Sequence, residues 1–94
     1  MNLTVDISLY PLRDQFIPPI DDVIARFASY SGVDVDTGHT STLLIGDYDA
    51  VMHALQTEMR RSFTLYGHCV FVARFIGRDV REPWGDGDTV APVA

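Results

Sequence analysis

Apolar and polar residues alternate at the start of the chain, with Val5, Ile7 and Leu9 set against Thr4, Asp6, Ser8 and Tyr10. A period of two marks a strand with one apolar and one polar face. Pro11 ends it, and the stretch RDQFIPP leads into a helix. Pro19 suits the first helical position, where its missing N–H needs no partner. That start puts Asp21 and Asp22 in the first turn, where the helix dipole favours negative charge. Ile20, Val23, Ile24 and Phe27 then recur at helical spacing as one apolar stripe, and Gly32 suits the residue after the helix.

Val33 and Val35 alternate with Asp34 and Asp36, which predicts a short strand near a sheet edge. Thr37-Gly38 reads as a turn or bulge, and residues 39–45 as a third strand. Gly46 ends that strand and Asp47 is a candidate N-cap. Residues 48–63 form a second helix with the stripe Tyr48, Val51, Met52, Leu55, Met59 and Phe63. Arg60 and Arg61 fall in its last turns, and Gly67 closes it. Residues 68–76 are the fourth strand, with Cys69, Phe71, Ala73 and Phe75 on one side and Val70, Val72, Arg74 and Ile76 on the other. Both sides are largely apolar, so cover is expected on both.

The order is βαββαβ. Right-handed crossovers put both helices on one face of a four-stranded antiparallel sheet, a ferredoxin-like α+β sandwich. The opposite face is expected to carry Asp6, Ser8, Tyr10, Thr40, Thr42 and Leu44. That mixture is too polar for a core and too apolar to stand bare, which points to a symmetric partner packed sheet to sheet.

Ninety-four residues make one domain, here residues 1–78, followed by a tail of residues 79–94 that contains Pro, Gly and acidic residues. The tail is expected to be mobile or docked on a neighbour, with Trp84 as its one large anchor. The net charge is −6, with seven Arg and no Lys. Half of that charge sits in the tail, because residues 1–78 hold eight Asp and one Glu against six Arg. Such a balance is repelled by phosphate backbones and anionic lipid, so nucleic acid and membrane surfaces are excluded as partners. The N-terminus lacks the basic start of a signal peptide, and no run approaches the ~20 apolar residues of a membrane span. A cytoplasmic protein is expected.

The chemistry-bearing residues narrow the function further. His39, His53 and His68 show no metal-site spacing, so neither a metal nor a cofactor is expected. The single cysteine, Cys69, forms no intramolecular disulfide and lies on a face that reads as core, while His68 beside it points the other way. Asp34 and Asp36 read as water-facing, and Asp47 and Asp49 as the start of a helix. What remains is Ser8, Tyr10, Thr37, His39, Thr40 and Thr42, at the middle and ends of the two strands expected to be central. Ser8 and Tyr10 share one face of the first strand, and Thr40 and Thr42 share one face of the third. Four hydroxyls converging there would orient a small heteroaromatic ligand, with Tyr10 as a flat surface. They are equally ordinary strand residues, since Thr favours strands.

The segments Ile7-Ser8-Leu9-Tyr10-Pro11-Leu12, Ser31-Gly32-Val33 and Thr40-Ser41-Thr42-Leu43-Leu44-Ile45-Gly46-Asp47, followed by His68-Cys69-Val70-Phe71-Val72, resemble the YkoF family of thiamine- and hydroxymethylpyrimidine-binding proteins. The resemblance spans residues 4 to 76. It implies a ferredoxin-like fold, ligand binding without catalysis, and assembly of single domains as a homodimer or homotetramer. It also carries site roles onto Ser8, Tyr10 and Thr42, and onto His39, Thr40 and Asp47. An acidic surround and an aromatic face suit a cationic thiazolium, and Tyr10 with Asp47 or Asp6 would supply them.

The expected function is therefore a non-catalytic binding protein for thiamine or its hydroxymethylpyrimidine moiety, serving uptake or salvage, with a cationic or neutral heteroaromatic ligand. One rival is a cofactor-free dimeric oxygenase using Tyr10 and His39. The other is a structural or regulatory oligomer in which a partner fills the region of Ser8, Tyr10 and Thr42.

Overall fold

The computed structural model describes residues 1–83. Six elements follow in order: β1 (Asn2–Pro11), α1 (Ile17–Ala28), β2 (Val33–Thr37), β3 (Thr42–Asp47), α2 (Tyr48–Tyr66) and β4 (Cys69–Ile76). The strands form one antiparallel sheet in the order β2-β3-β1-β4. Val23 and Phe27 of α1 join Val51, Ala54 and Leu55 of α2 in one core with Leu3, Val5, Ile7 and Leu44 of the sheet. Both helices thus cover the same face, and the fold is the ferredoxin-like βαββαβ sandwich. Among the described residues no helix is long and apolar enough to cross a membrane.

Several elements begin or end elsewhere than the pattern predicts. Helix α1 starts at Ile17, earlier than Pro19, because both Pro18 and Pro19 are tolerated before backbone N–H donors are needed. Its first turn therefore holds no acidic residue, and its N-cap, Phe16, makes no side-chain hydrogen bond. Asp22 instead accepts from Arg61 of α2 at 2.5 Å and from the Tyr66 hydroxyl at 2.9 Å. Helix α2 runs on to Tyr66, so Arg60 and Arg61 lie before its last turn. Gly67, at φ 68°, does close it. Strand β3 starts at Thr42 rather than residue 39, since residues 38–41 make the connection from β2, with the Gly38 N–H donating to the Ser41 carbonyl at 2.8 Å.

The register corrects the expected division of faces. Ile7 lies opposite Thr42 and Val5 opposite Leu44, so Thr42 and Leu44 point toward the helices with the core side of β1. Their partners in alternation, Leu43 and Ile45, take the open face beside Asp6 and Thr4. Burial follows: Leu44 is fully buried and Thr42 nearly so. On β4 only the helix side is partly covered; Val70 and Val72 stand exposed on the open face.

The helix layer is pinned by a buried charge. Glu58 of α2 is fully buried and accepts from the hydroxyl of Tyr30, just past α1, at 2.6 Å and from Nε of Arg26, in the last turn of α1, at 3.3 Å. Burial pushes the Tyr30 hydroxyl up, and its bond to Glu58 adds to that shift. The Arg61 guanidinium holds the Asp22 carboxyl below its usual value, against the effect of burial. These bonds fix where α1 sits over the sheet.

Beyond β4 the chain folds back over the open face. The Thr4 hydroxyl donates to the Arg78 carbonyl at 2.8 Å and accepts from the Val80 N–H at 3.2 Å. Arg81 then reaches Asp34 on β2 at 2.9 Å and pairs with Asp79 at 2.8 Å. Residues 79–83 of the expected tail therefore lie on the chain's own sheet. Trp84 and the rest of the tail lie outside the described residues.

Gly46 has no room for a side chain, because a Cβ there would sit 2.1 Å from the Gly32 carbonyl oxygen. Gly46→Ala is expected to destabilise the fold by about 1–3 kcal/mol, the usual range for overpacking, read as a lower urea midpoint. Asp22, with its folded pKa lowered from 3.8, contributes stability that is present above that value and lost as pH falls through the folded value. The stability gap between the wild type and Asp22→Asn should thus be widest above pH 3.8 and close on further acidification, measured by urea unfolding at several pH values.

Candidate functional site

β3 ends its pairing with β1 at Ile7, so among the described residues the rest of β1, residues 8–11, pairs with β4 alone. The corner left by the missing ladder is a cavity of about 220 Å³ between α1 and the sheet. Ile20, Val23, Ile24 and Phe27 of α1 form one wall, Ile7, Leu9 and Phe71 of the sheet another, and residues 37–42 the rim.

Five of the six expected site residues line this one cavity: Ser8, Tyr10, His39, Thr40 and Thr42. Thr37 lines it too. They arrive from several directions, however, and not from a shared sheet face. Thr42 is buried and enters from the helix side, while Tyr10, His39 and Thr40 are exposed at the mouth. Ser8 and Tyr10 alternate with the core residues Ile7 and Leu9 and belong to the open face, so they meet the cavity at its edge. The Ser8 hydroxyl donates to the Thr40 carbonyl at 3.3 Å, tying β1 to the rim.

Asp47 is not among the lining residues. It sits opposite Asn2 at the far end of the β1–β3 ladder and accepts from the Asp49 N–H at 3.1 Å as the cap of α2. It also lies 3.9 Å from the terminal amine. Asp6, the other acid considered, faces the open side, where the Ser41 hydroxyl and Arg74 hold its carboxyl below its usual value. Among the described residues no Asp, Glu or Arg lines the cavity, so the lining they give it is hydroxyl-bearing and apolar without a fixed charge.

The apolar wall of α1 and Phe71 are part of the site that the pattern assigned to core alone. Ile20 and Ile24 are only partly buried, whereas Val23 and Phe27 of the same wall are buried and belong to the core as well. Ser41 is the remaining lining hydroxyl. Cys69 lies outside the lining, and burial pushes its thiol up, away from the thiolate form a nucleophile needs. Among the described residues, no three His, Cys, Asp or Glu side chains are grouped to hold a metal ion.

A family model described as the YKOF-related family matches residues 3–75. The chain belongs to that family. Its fold is similar to that of a protein from Streptococcus pneumoniae, with a TM-score of 0.76, 19% identity and coverage of 86% of this chain and 91% of that one. A Thermotoga maritima protein named for thiamine biosynthesis or salvage matches with a TM-score of 0.74 and 19% identity, over 83% of this chain and 85% of that one. A Methanocaldococcus jannascii protein matches with a TM-score of 0.72 and 20% identity, over 86% and 84% of the two chains. At these identities the likeness shows the fold. No curated protein sequence is significantly similar to this chain.

Proposed function

We propose that the chain is a non-catalytic cytoplasmic binding protein for thiamine or its hydroxymethylpyrimidine moiety, acting in uptake or salvage. The observation that carries this reading is the uncharged cavity of about 220 Å³ with apolar walls and a rim of hydroxyls. Pockets for drug-sized ligands run to roughly 300–1,000 Å³, so this one suits a single heteroaromatic ring. The Thr42 hydroxyl and rim carbonyls would accept from the pyrimidine amino group, and hydroxyl donors would serve its ring nitrogens. Ile24, Phe27 and Phe71 would flank the ring faces. In thiamine the cationic thiazolium would remain at the mouth beside Tyr10, where an exposed cation–π contact contributes about 0.5–1 kcal/mol. The lining holds groups that orient a ligand, and His39 at the mouth is its one imidazole.

Assembly as a homodimer or homotetramer belongs to the same reading. Exposed Tyr10, Val70 and Val72 on the open face support it. Family membership and the salvage-named structural neighbour support the choice of ligand.

Calorimetry with hydroxymethylpyrimidine and with thiamine tests the reading. Binding tighter than millimolar is expected for at least one of them. Thr42→Val should weaken it about 2–10-fold, the worth of one ordinary hydrogen bond. Ile24→Trp should abolish it by filling the cavity, and Asp47→Asn should leave it unchanged. Absence of binding by the folded wild type to both compounds would overturn the proposal.

A further inference from the structure

The chemistry of the cavity selects by charge as well as by size. Among the described residues no Arg lines it, and the chain has no Lys. Residues 84–94 contain no Arg, Lys or His, so they have no cation to add. His39 at the mouth is the one lining side chain able to carry positive charge.

The arginines are engaged elsewhere. Arg26 and Arg61 pair with Glu58 and Asp22 between the helices, and Arg74 pairs with Asp6 on the open face. Arg81 pairs with Asp34 and Asp79 beyond β4. The Arg13 guanidinium, in the loop before α1, lies 5.7 Å from the centroid of the Tyr66 ring.

The backbone offers little in their place. A helix start commonly holds phosphate, because its first N–H groups lack partners and the helix dipole favours negative charge. Helix α1 begins at Ile17, one turn before the cavity residue Ile20. Pro18 and Pro19 follow Ile17, and proline has no N–H, so two of the donors of that first turn do not exist. Asp21, exposed just beyond them, adds negative charge to the same end of the helix. A phosphomonoester carries about −1.5 to −2 charges at pH 7. Placing that charge among apolar side chains and neutral hydroxyls, with no cation to meet it, is strongly disfavoured. We propose that the site takes the free alcohol of hydroxymethylpyrimidine and rejects its phosphate ester, and that Pro18 and Pro19 keep the start of α1 from serving as an anion site. This selectivity rests on the ring-binding reading above, and it confines the protein to the stage before the ring's hydroxyl is phosphorylated.

Calorimetry on the full chain, with hydroxymethylpyrimidine and with its phosphomonoester as competitor, tests the selectivity. The ester is expected to bind at least tenfold more weakly than the alcohol. That ratio should persist at high salt, where repulsion by the net charge of −6 is screened. His39→Arg sets a permanent cation at the mouth and should narrow the ratio at least fivefold. Pro18→Ala, at an exposed position, restores one donor and should narrow it at least twofold. Failure of the alcohol itself to bind would overturn the ring-binding reading and this selectivity with it. An ester that binds within tenfold of the alcohol, or more tightly, would overturn the selectivity alone. So would a ratio that collapses at high salt, because net charge and not the cavity would then reject the ester. An unchanged ratio in His39→Arg would overturn the missing cation as the cause, and an unchanged ratio in Pro18→Ala would overturn the part given to the prolines.

Discussion

The pairing of β1 with β3 places Ile7 opposite Thr42 and Val5 opposite Leu44. Side chains on a strand alternate faces, so a slip of one residue would exchange the two faces of both central strands. In the observed register Leu3, Val5, Ile7 and Leu44 meet the helices and Thr42 is carried in with them. The same pairing stops at Thr42, which among the described residues leaves residues 8–11 without a paired strand on that side. The cavity, its buried hydroxyl and the apolar walls around it all descend from where this ladder begins and ends.

Fixing α1 is the second requirement, because one wall of the cavity is a face of that helix. Asp22 with Arg61 and, one turn away, Glu58 with Tyr30 and Arg26 join the helices as one polar cluster, in which Arg61 also lies 3.9 Å from Glu58. Burying Glu58 without partners would cost several kcal/mol, and the two donors from the α1 side offset that cost. Polar bonds at defined points set the seat of a helix more narrowly than apolar contact does. They do not enter the cavity, and they work by holding its wall in place.

Much of the architecture was legible in the residue pattern, because each element's signal is local. The alternation of Val33 and Val35 with Asp34 and Asp36 marks an edge strand, and β2 is one. The face of β3 was not legible, because Leu43, Leu44 and Ile45 are three apolar residues in a row and their alternation is silent. Only the long-range pairing with β1 decides which of them goes inward. The polar set was recognisable as a group, since Ser8, Tyr10, Thr37, His39, Thr40 and Thr42 all line one cavity, but the direction from which each enters was not. Asp47 resembled a site residue by motif, and its local role as a helix cap is the one the structure shows. Thr4 looked like an outward polar residue of β1. It is buried by a segment 74 residues further along, which no local pattern can foretell. Glu58 lies at helical spacing from Val51 and Leu55 on the inward stripe, yet its residue type suits solvent, and its burial goes with donors from Tyr30 and Arg26 elsewhere in the chain.

The central claim is that a small neutral ring enters the sandwich on the helix side of the sheet. Isoleucine methyl groups report this directly, because Ile7, Ile20 and Ile24 line the cavity while Ile45 and Ile76 lie on the open face. Titration of methyl-labelled protein with hydroxymethylpyrimidine should shift the first three methyl signals and leave the last two in place. Shifts confined to Ile45 and Ile76, or no shift at any of the five, would contradict the account.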